Sequence, residues 1–588
     1  MIFFVILGVM KLSSLNCSFL TPGHIHALVI ASLLTFAGTG SIAQVSHGGT
    51  PVMNSDDFEA SRVLYVLPPE NPVMVEGLKN AAQVSRGKVM QYATERPVDI
   101  APDFNGQWVT KEGMHIWRAH LVSPGAYSLG VQFSEYALDE GARIFLYDPS
   151  GKHVKGAFTQ ANNKPYGSFY VGHIPGEEVI IELQVDDRER NYGNLRIGLL
   201  SHAFLPVYGA ENGAPGEDAK NTVNNGLGSS QACEIDINCR EGEEWQILKR
   251  SVCHISTSTL LCTGTLVNNT AYNGKPYILT AEHCINTPFY AENSVFYFGY
   301  ENSDCGVTDG QKNQSVSGST LLSTGDSIDF TLVELSTRPP RDYNVYYAGW
   351  DAREMEHPST VTLHHPNADA MKISFDNDPT SEPDDVPGDL KDYFTASNYW
   401  IRQWDIGSTE GGSSGCPLFN TSKKVVGVLS GGLASCGDSM GYDEVNDRVI
   451  FSLNGNENDY YSRLSYGWDY YDEKNKQLKH WLDPIASGQL FIGGLSSGLL
   501  DTRLQQQLHH TIGIFPNPSS GTFTIEPAEY TGDRLMVEMY DMTGHRVWSK
   551  TFTSAAPLLV SVPEPAPGIY LLRVSDESKT FTGKVVLQ

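Results

Sequence analysis

The sequence predicts an all-β protein made of several domains. Glycine and proline are plentiful, at 56 and 31 of 588 residues, and tyrosine and threonine fill the runs between them, a pattern of short strands separated by turns. No long stretch repeats apolar residues at helical spacing. The hydrophobic fraction, 40% with 10% aromatic, supports packed cores and is too high for a disordered chain. At roughly 100–200 residues per domain the length suggests three or four domains. The 68 acidic residues against 41 basic ones give a net charge of −27, a surface that repels phosphate and excludes nucleic acid as a partner.

The chain opens with two apolar runs, Ile2 to Val9 and Ala27 to Ala37. Each is shorter than the roughly 20 residues that span a bilayer. A cut after Ala43 satisfies the small-x-small rule for an export signal, so residues 1–43 are expected to be removed. Met10 is an alternative start because Lys11 follows the first run, and Asn16 before Cys17 argues against lipid attachment. No later segment is apolar enough to span a membrane.

Residues 44–220 contain alternating runs at Tyr127 to Phe133, Arg143 to Tyr147 and Glu178 to Val185, expected as strands of a β-sandwich. A polar, Gly- and Asn-rich linker follows from Glu211 to Gly228. Residues 221–495 form the next domain. Residues 496–512 read as a second connector, and residues 513–588 as a small β-sandwich with strands at Thr522 to Glu526, Leu535 to Tyr540 and Ile569 to Val574.

Apart from Cys17, every cysteine falls in the central region: 233, 239, 253, 262, 284, 305, 416 and 436. Export to an oxidising compartment and an even count favour disulfides. Eight cysteines allow 105 pairings, and no paired C-x-x-C knuckle suggests zinc. No metal and no cofactor is expected.

Three motifs in this region fit one chemistry. Leu279-Thr-Ala-Glu-His283-Cys284 offers a base, Asp329 heads the apolar run Phe-Thr-Leu-Val-Glu-Leu, and Gly411-Gly-Ser-Ser-Gly-Cys-Pro417 offers a serine in a Gly-rich turn. Acyl transfer needs a hydroxyl activated by a base, and a carboxylate that holds the base in one tautomer. It also needs backbone N–H groups aimed at the developing oxyanion, which glycines allow by tight turning. His283, Asp329 and Ser414 are the expected catalytic set. The remaining histidines, including His364 and His365, are expected to be structural.

These motifs resemble the trypsin-like serine proteases and, more closely, the bacterial lysyl endopeptidases. The closer resemblance runs from Cys233 to Leu495. It rests on Cys-Glu-Ile-Asp-Ile-Asn-Cys at 233–239, Cys-Thr-Gly-Thr-Leu-Val-Asn-Asn-Thr at 262–270 and Tyr-Ala-Gly-Trp-Asp at 347–351. Leu-His-His-Pro at 363–366, Thr-Glu-Gly-Gly-Ser-Ser-Gly at 409–415 and Trp-Leu-Asp-Pro at 481–484 continue it. It implies two six-stranded β-barrels with the site between them. Its register selects Ser414 over Ser413 as nucleophile and implies an oxyanion hole from the N–H groups of Gly412 and Ser414. Glu282 stands where Ala or His is usual, and Cys416 where a small residue is usual.

Ser408, six before the nucleophile, carries no charge. By resemblance the pocket anion comes from Asp459-Tyr-Tyr-Ser-Arg463, with Trp468 at the family's interval, and Asp459 would pair with a substrate ammonium. Asp443 and Asp447 are rivals for that role, and lysine is preferred to arginine without excluding it. Ser430 is implied to pair with substrate backbone. The implied disulfides are Cys233–Cys436, Cys239–Cys305 and Cys262–Cys284, and Cys253–Cys416 is expected as a fourth, with two free thiols as the alternative.

Residues 44–220 are expected to be a pro-region that suppresses activity and is removed near Lys220, with a permanent accessory domain as the alternative. Phe-Pro-Asn-Pro-Ser-Ser-Gly-Thr-Phe at 515–523, Tyr-Asp-Met-Thr-Gly at 540–544 and Pro-Gly-Ile-Tyr-Leu-Leu-Arg-Val at 567–574 resemble the C-terminal sorting domain of type IX secretion cargo. A sugar-binding sandwich is its alternative. The expected protein is a secreted or surface-attached monomeric serine endopeptidase whose partners are protein or peptide substrates and the type IX secretion machinery. The competing reading is a non-catalytic surface adhesin that keeps the protease fold; an esterase or lipase fits less well, since those use another order of residues and another elbow.

Overall fold

The computed structural model describes residues 46–52, 64–84, 89–111, 113–186, 191–208, 227–383, 395–437, 439–443, 448–451, 458–498, 513–526, 535–541, 546–553, 558–563, 566–575 and 580–588. The expected export signal, Lys220, Asp447 and most of both linkers lie outside them.

Residues 64–203 form a two-sheet sandwich. One sheet runs Leu64–Val66, Met114–Val122, Glu178–Asp186, Ala142–Tyr147, Val154–Phe158, with Gln107–Lys111 also pairing Met114–Val122. The other runs Ala93–Ile100, Gly193–Ala203, Ser128–Leu138, Phe169–Pro175. The runs Arg143 to Tyr147 and Glu178 to Val185 fall within these strands, and Tyr127 to Phe133 does so from Ser128 onward. Trp117, Phe133, Ile144 and Leu183 fill the space between the sheets. The helix Pro72–Val84 has no counterpart in the sequence reading. It starts where the Asn71 side chain accepts from the Val73 N–H at 2.9 Å, and proline, which has no N–H to satisfy, takes its first position.

The central region holds two curled sheets. In the first, the order is Gln314–Ser317, Val295–Phe298, Val252–Ser256, Leu260–Val267, Tyr277–Thr280, Phe330–Leu335, Ser319–Gly325. Its two end strands are one stretch of chain bent at Gly318, whose φ of +78° suits glycine, so six chain segments close a barrel. In the second, the order is Ile235–Asp236, Lys372–Asp376, Thr360–His364, Pro417–Asn420, Val425–Gly432, Asp459–Arg463, Asn398–Ile401. Bridges Phe375–Ile406 and Ser381–Trp400 bring its ends together. Apolar side chains from both barrels, among them Val267, Leu279 and Leu332 with Leu363, Ile373 and Val428, pack into one cluster. Burial of each is worth about 1.5–3 kcal/mol, which holds the barrels as one body.

Disulfides join Cys233 to Cys436, Cys239 to Cys305 and Cys262 to Cys284. The expected Cys253–Cys416 bond is not formed, and both are buried free thiols. Cys253 belongs to the interior of the first barrel, with its Sγ 3.6 Å from the Gly264 carbonyl. Cys416 belongs to a separate cluster in the second, beside Thr362 Oγ1 at 3.1 Å.

The C-terminal residues form sheets of three and four strands that enclose Phe523, Ile525, Val537, Leu572 and Val585. Among the described residues no helix is long and apolar enough to cross a membrane.

Candidate active site

Strands Tyr277–Thr280 and Phe330–Leu335 pair with Thr280 opposite Thr331. His283 lies just beyond the end of one strand and Asp329 just before the start of the other, so the register brings both to one rim of the first barrel. His283 Nδ1 is 3.0 Å from Asp329 Oδ2, and the His283 backbone N–H donates to Oδ1 at 3.1 Å. Two bonds therefore fix both the ring and its loop. Asp329 is fully buried and holds φ at +62°, a conformation that is uncommon outside glycine but tolerated by aspartate. Its N–H donates to Gly325 O at 2.7 Å, which stabilises the turn.

The His283 side chain is 14% exposed. Burial pulls its pKa down, but the charge and hydrogen bond of Asp329, with the charge of Glu282, outweigh burial and raise it above the usual histidine value. Glu282 is itself raised, by burial first and then by the Asp329 charge. Nε2, on the far side of the ring, is buried with no hydrogen-bond partner among the described residues. Cys262, His283 and Cys284 bring donor atoms within 4.8 Å of one another, yet both sulfurs are in a disulfide and offer no thiolate to a metal.

The turn before strand Pro417–Asn420 carries the two serines. Ser413 Oγ accepts from the Glu410 N–H at 3.1 Å and meets His364 Nδ1 at 2.8 Å, so that hydroxyl is committed to holding the turn. Gly412 has φ of +92°, and a Cβ there would stand 2.9 Å from the His365 carbonyl. Gly415, at φ +77°, packs on the Thr263 carbonyl and the Ala281 N–H, where a Cβ would come within 2.6 and 2.8 Å of them. Both positions require glycine.

Thr263, which the sequence reading did not single out, ties this turn to the first barrel. Its N–H donates to the Ser414 carbonyl at 2.8 Å and its hydroxyl to the Gly412 carbonyl at 2.9 Å. Thr280 Oγ1 donates to the Thr263 carbonyl at 2.9 Å, and the His365 N–H donates to Thr263 Oγ1 at 3.1 Å. Its place after Cys262 in a quoted motif was the available signal.

Asp459 is fully buried at the start of its strand. Its Oδ2 accepts from Trp404 Nε1 at 2.8 Å and Thr409 Oγ1 at 2.6 Å, both on the segment that leads to Ser414. Gly432, opposite it in the ladder, leaves space where a Cβ would strike Asp459 Oδ1. Asp443, its rival, lies in the separate hairpin Ser439–Asp443 with Arg448–Phe451. Trp468 packs against Trp350 in the core, with ring centroids 4.9 Å apart and the planes tilted by 43°. Ser430 sits where the register skips from Leu429–Tyr461 to Gly431–Tyr460. Its hydroxyl is 2.6 Å from Ser462 Oγ, which reaches the Asp329 carbonyl at 3.2 Å, so it also braces the carboxylate's loop.

Two regions of the chain match known families. Residues 227–449 match the family model "Lysyl endopeptidase, C-terminal domain", and residues 513–588 match "Secretion system C-terminal sorting domain". A lysyl endopeptidase of Pseudomonas aeruginosa is 27% identical over 363 residues, which cover 56% of this chain and 72% of that protein. Among solved structures, a Glu endopeptidase is 15% identical with a TM-score of 0.23, over 40% of this chain and 92% of its own. Rv3671c of M. tuberculosis is 18% identical with a TM-score of 0.23, over 37% and 82%. Likeness at that score adds nothing to the sequence matches. The chain is a secreted or cell-surface serine endopeptidase, similar to the lysyl endopeptidases in its central region and ending in a secretion sorting domain.

Proposed function

We propose that this protein hydrolyses peptide bonds after lysine, and after arginine less readily, through an acyl-enzyme on Ser414. Ser414 Oγ attacks the carbonyl carbon while His283 Nε2 takes its proton and passes it to the leaving amine. Asp329 holds the Nδ1 proton and, with Glu282, favours the imidazolium that forms. The N–H groups of Gly412 and Ser414 receive the oxyanion, and water then releases the acid. The observation that carries the lysine preference is the Asp459 carboxylate, fully buried beside the segment leading to Ser414. A buried carboxylate gains most from a substrate cation, and a compact ammonium on a long, flexible stem can reach a single buried anion. A non-catalytic adhesin is not favoured by the lysyl endopeptidase match.

On this reading residues 44–220 are a pro-region removed near Lys220, residues 221–495 the protease, 496–512 a linker and 513–588 the sorting domain, and the enzyme acts as a monomer. The test is cleavage of an unbiased peptide library. Wild type is expected to cut after lysine, with arginine second, and Ser414→Ala and His283→Ala to lose at least 10³-fold in rate. Activity that persisted in Ser414→Ala would refute the assignment.

A further inference from the structure

The stretch His364 to Asn367 holds the turn before Ser414 at two points. The first is the peptide between Gly411 and Gly412. The Ser413 N–H donates to Glu410 O at 3.0 Å, so Glu410 to Ser413 is a hydrogen-bonded turn. Its third residue, Gly412, has φ of +92°, which is the type II form, and a change to type I would rotate the Gly411–Gly412 peptide by about 150°. The Asn367 N–H donates to the Gly411 carbonyl at 2.6 Å. In a trans peptide the N–H points opposite to the C=O, so this bond directs the Gly412 N–H away from Asn367.

The second point is the Ser413 hydroxyl, and its polarity can be read from the groups behind His364. His364 is fully buried at the end of its strand. Ser374 Oγ donates to the Ser408 carbonyl at 2.7 Å. With its one proton spent, that oxygen accepts from His364 Nε2 at 3.2 Å, so the ring carries its proton on Nε2 and presents a lone pair at Nδ1. The side chain of Glu234, also buried, brings Oε2 to 3.5 Å from Nε2, and its charge holds the proton on that side. Ser413 Oγ, 2.8 Å from Nδ1, therefore donates to the ring and keeps its oxygen for the Glu410 N–H at 3.1 Å.

We infer that His364 is a positioning residue for the reaction: acting through Ser413, it keeps the Glu410–Ser413 turn in the form that aims the Gly412 N–H at the oxyanion. The inference rests on the Ser414 mechanism proposed above. Without the lone pair at Nδ1 the Ser413 proton turns to another acceptor, the oxygen swings from the Glu410 N–H, and the first corner of the turn is released. The peptide is then held by Asn367 alone. Because the oxyanion forms only after attack, the loss falls on kcat and not on KM.

The experiment measures kcat and KM of the full chain on a peptide with lysine before the cut bond. It also measures inhibition by the matching peptide aldehyde, whose adduct with a serine hydroxyl places an oxygen in the oxyanion hole. His364→Phe and Ser413→Ala are each expected to lower kcat about 10²-fold and to weaken the aldehyde by a similar factor, with KM unchanged. The double variant is expected to be no slower than either single one, since both remove the same contact. His364→Asn, whose side-chain oxygen can stand in for Nδ1, is expected to recover most of the loss. Should His364→Phe fail to fold, Ser413→Ala carries the test. Single variants with wild-type kcat, beside an inactive Ser414→Ala, would overturn this inference and leave the proposed function standing. Losses that multiply in the double variant, or that fall on KM, would also overturn it. A wild type that does not cut the peptide would overturn both.

Discussion

Replacing Asp459 with asparagine tests how the enzyme chooses its substrate. The carboxylate is fully buried and receives hydrogen bonds from Trp404 and Thr409 at 2.8 and 2.6 Å. Asparagine keeps the shape and an oxygen for those two donors, so the fold should hold. What it removes is the charge that would meet a substrate ammonium. Leaving one member of a buried ion pair uncompensated costs about 3–5 kcal/mol, which converts to about 100- to several-thousand-fold in kcat/KM. Paired peptides with lysine or its uncharged isostere norleucine before the scissile bond read this directly. Wild type should favour lysine by at least that factor, and Asp459→Asn should lose the preference mainly by failing on lysine. A variant that kept its preference, with unchanged kcat/KM for lysine, would refute the pocket assignment.

Three further outcomes follow from the same geometry. The raised pKa of His283 means that the neutral base is lost as pH falls through a value above 6.5, so the acid limb of kcat/KM should have its midpoint above 6.5; Asp329→Asn should move it down and lower kcat by about 10⁴. Gly412→Ala puts a Cβ 2.9 Å from the His365 carbonyl at a φ of +92°; it should cost about 1–3 kcal/mol in a denaturant melt and about 10²–10³ in kcat by displacing an oxyanion donor. Burial pushes the Cys416 thiol up to about 12 and raises that of Cys253, so neither should react with iodoacetamide in the native state, while guanidinium without reductant should expose two alkylatable thiols by mass. No labelling after unfolding would restore the expected fourth disulfide.

The proposed catalytic residues His283, Asp329 and Ser414 stand out in the sequence because the chemistry proposed for them needs short motifs, with glycines where φ is positive at 412 and 415. The sandwich strands were legible because turn residues interrupt runs such as Arg143 to Tyr147. Pairings between distant segments were not, because they are decided by tertiary register. Nothing in the sequence sets Met90 against Leu261, or Ser430 against Ser462 and hence under Asp329. Cys253 and Cys416 illustrate the same limit. An even count suggested a bond, whereas their strands turn the two sulfurs into different barrel interiors. Trp468, at a suggestive interval from Asp459, packs at a tilt against Trp350 because it faces the core.

Thr263 has a mechanical consequence. The proposed base, His283, belongs to one barrel and the proposed nucleophile, Ser414, to the other, so their separation is a measure of how the two barrels are aligned. Thr263 and Thr280 on one side, with His365, Gly412 and Ser414 on the other, form a short chain of hydrogen bonds across that boundary. It works as an alignment pin: sliding one barrel past the other by an ångström or two would break these bonds before it disturbed either interior. The working distance between base and nucleophile is therefore set at the contact between two rigid bodies, and activity would report on that alignment even while both barrels remained folded.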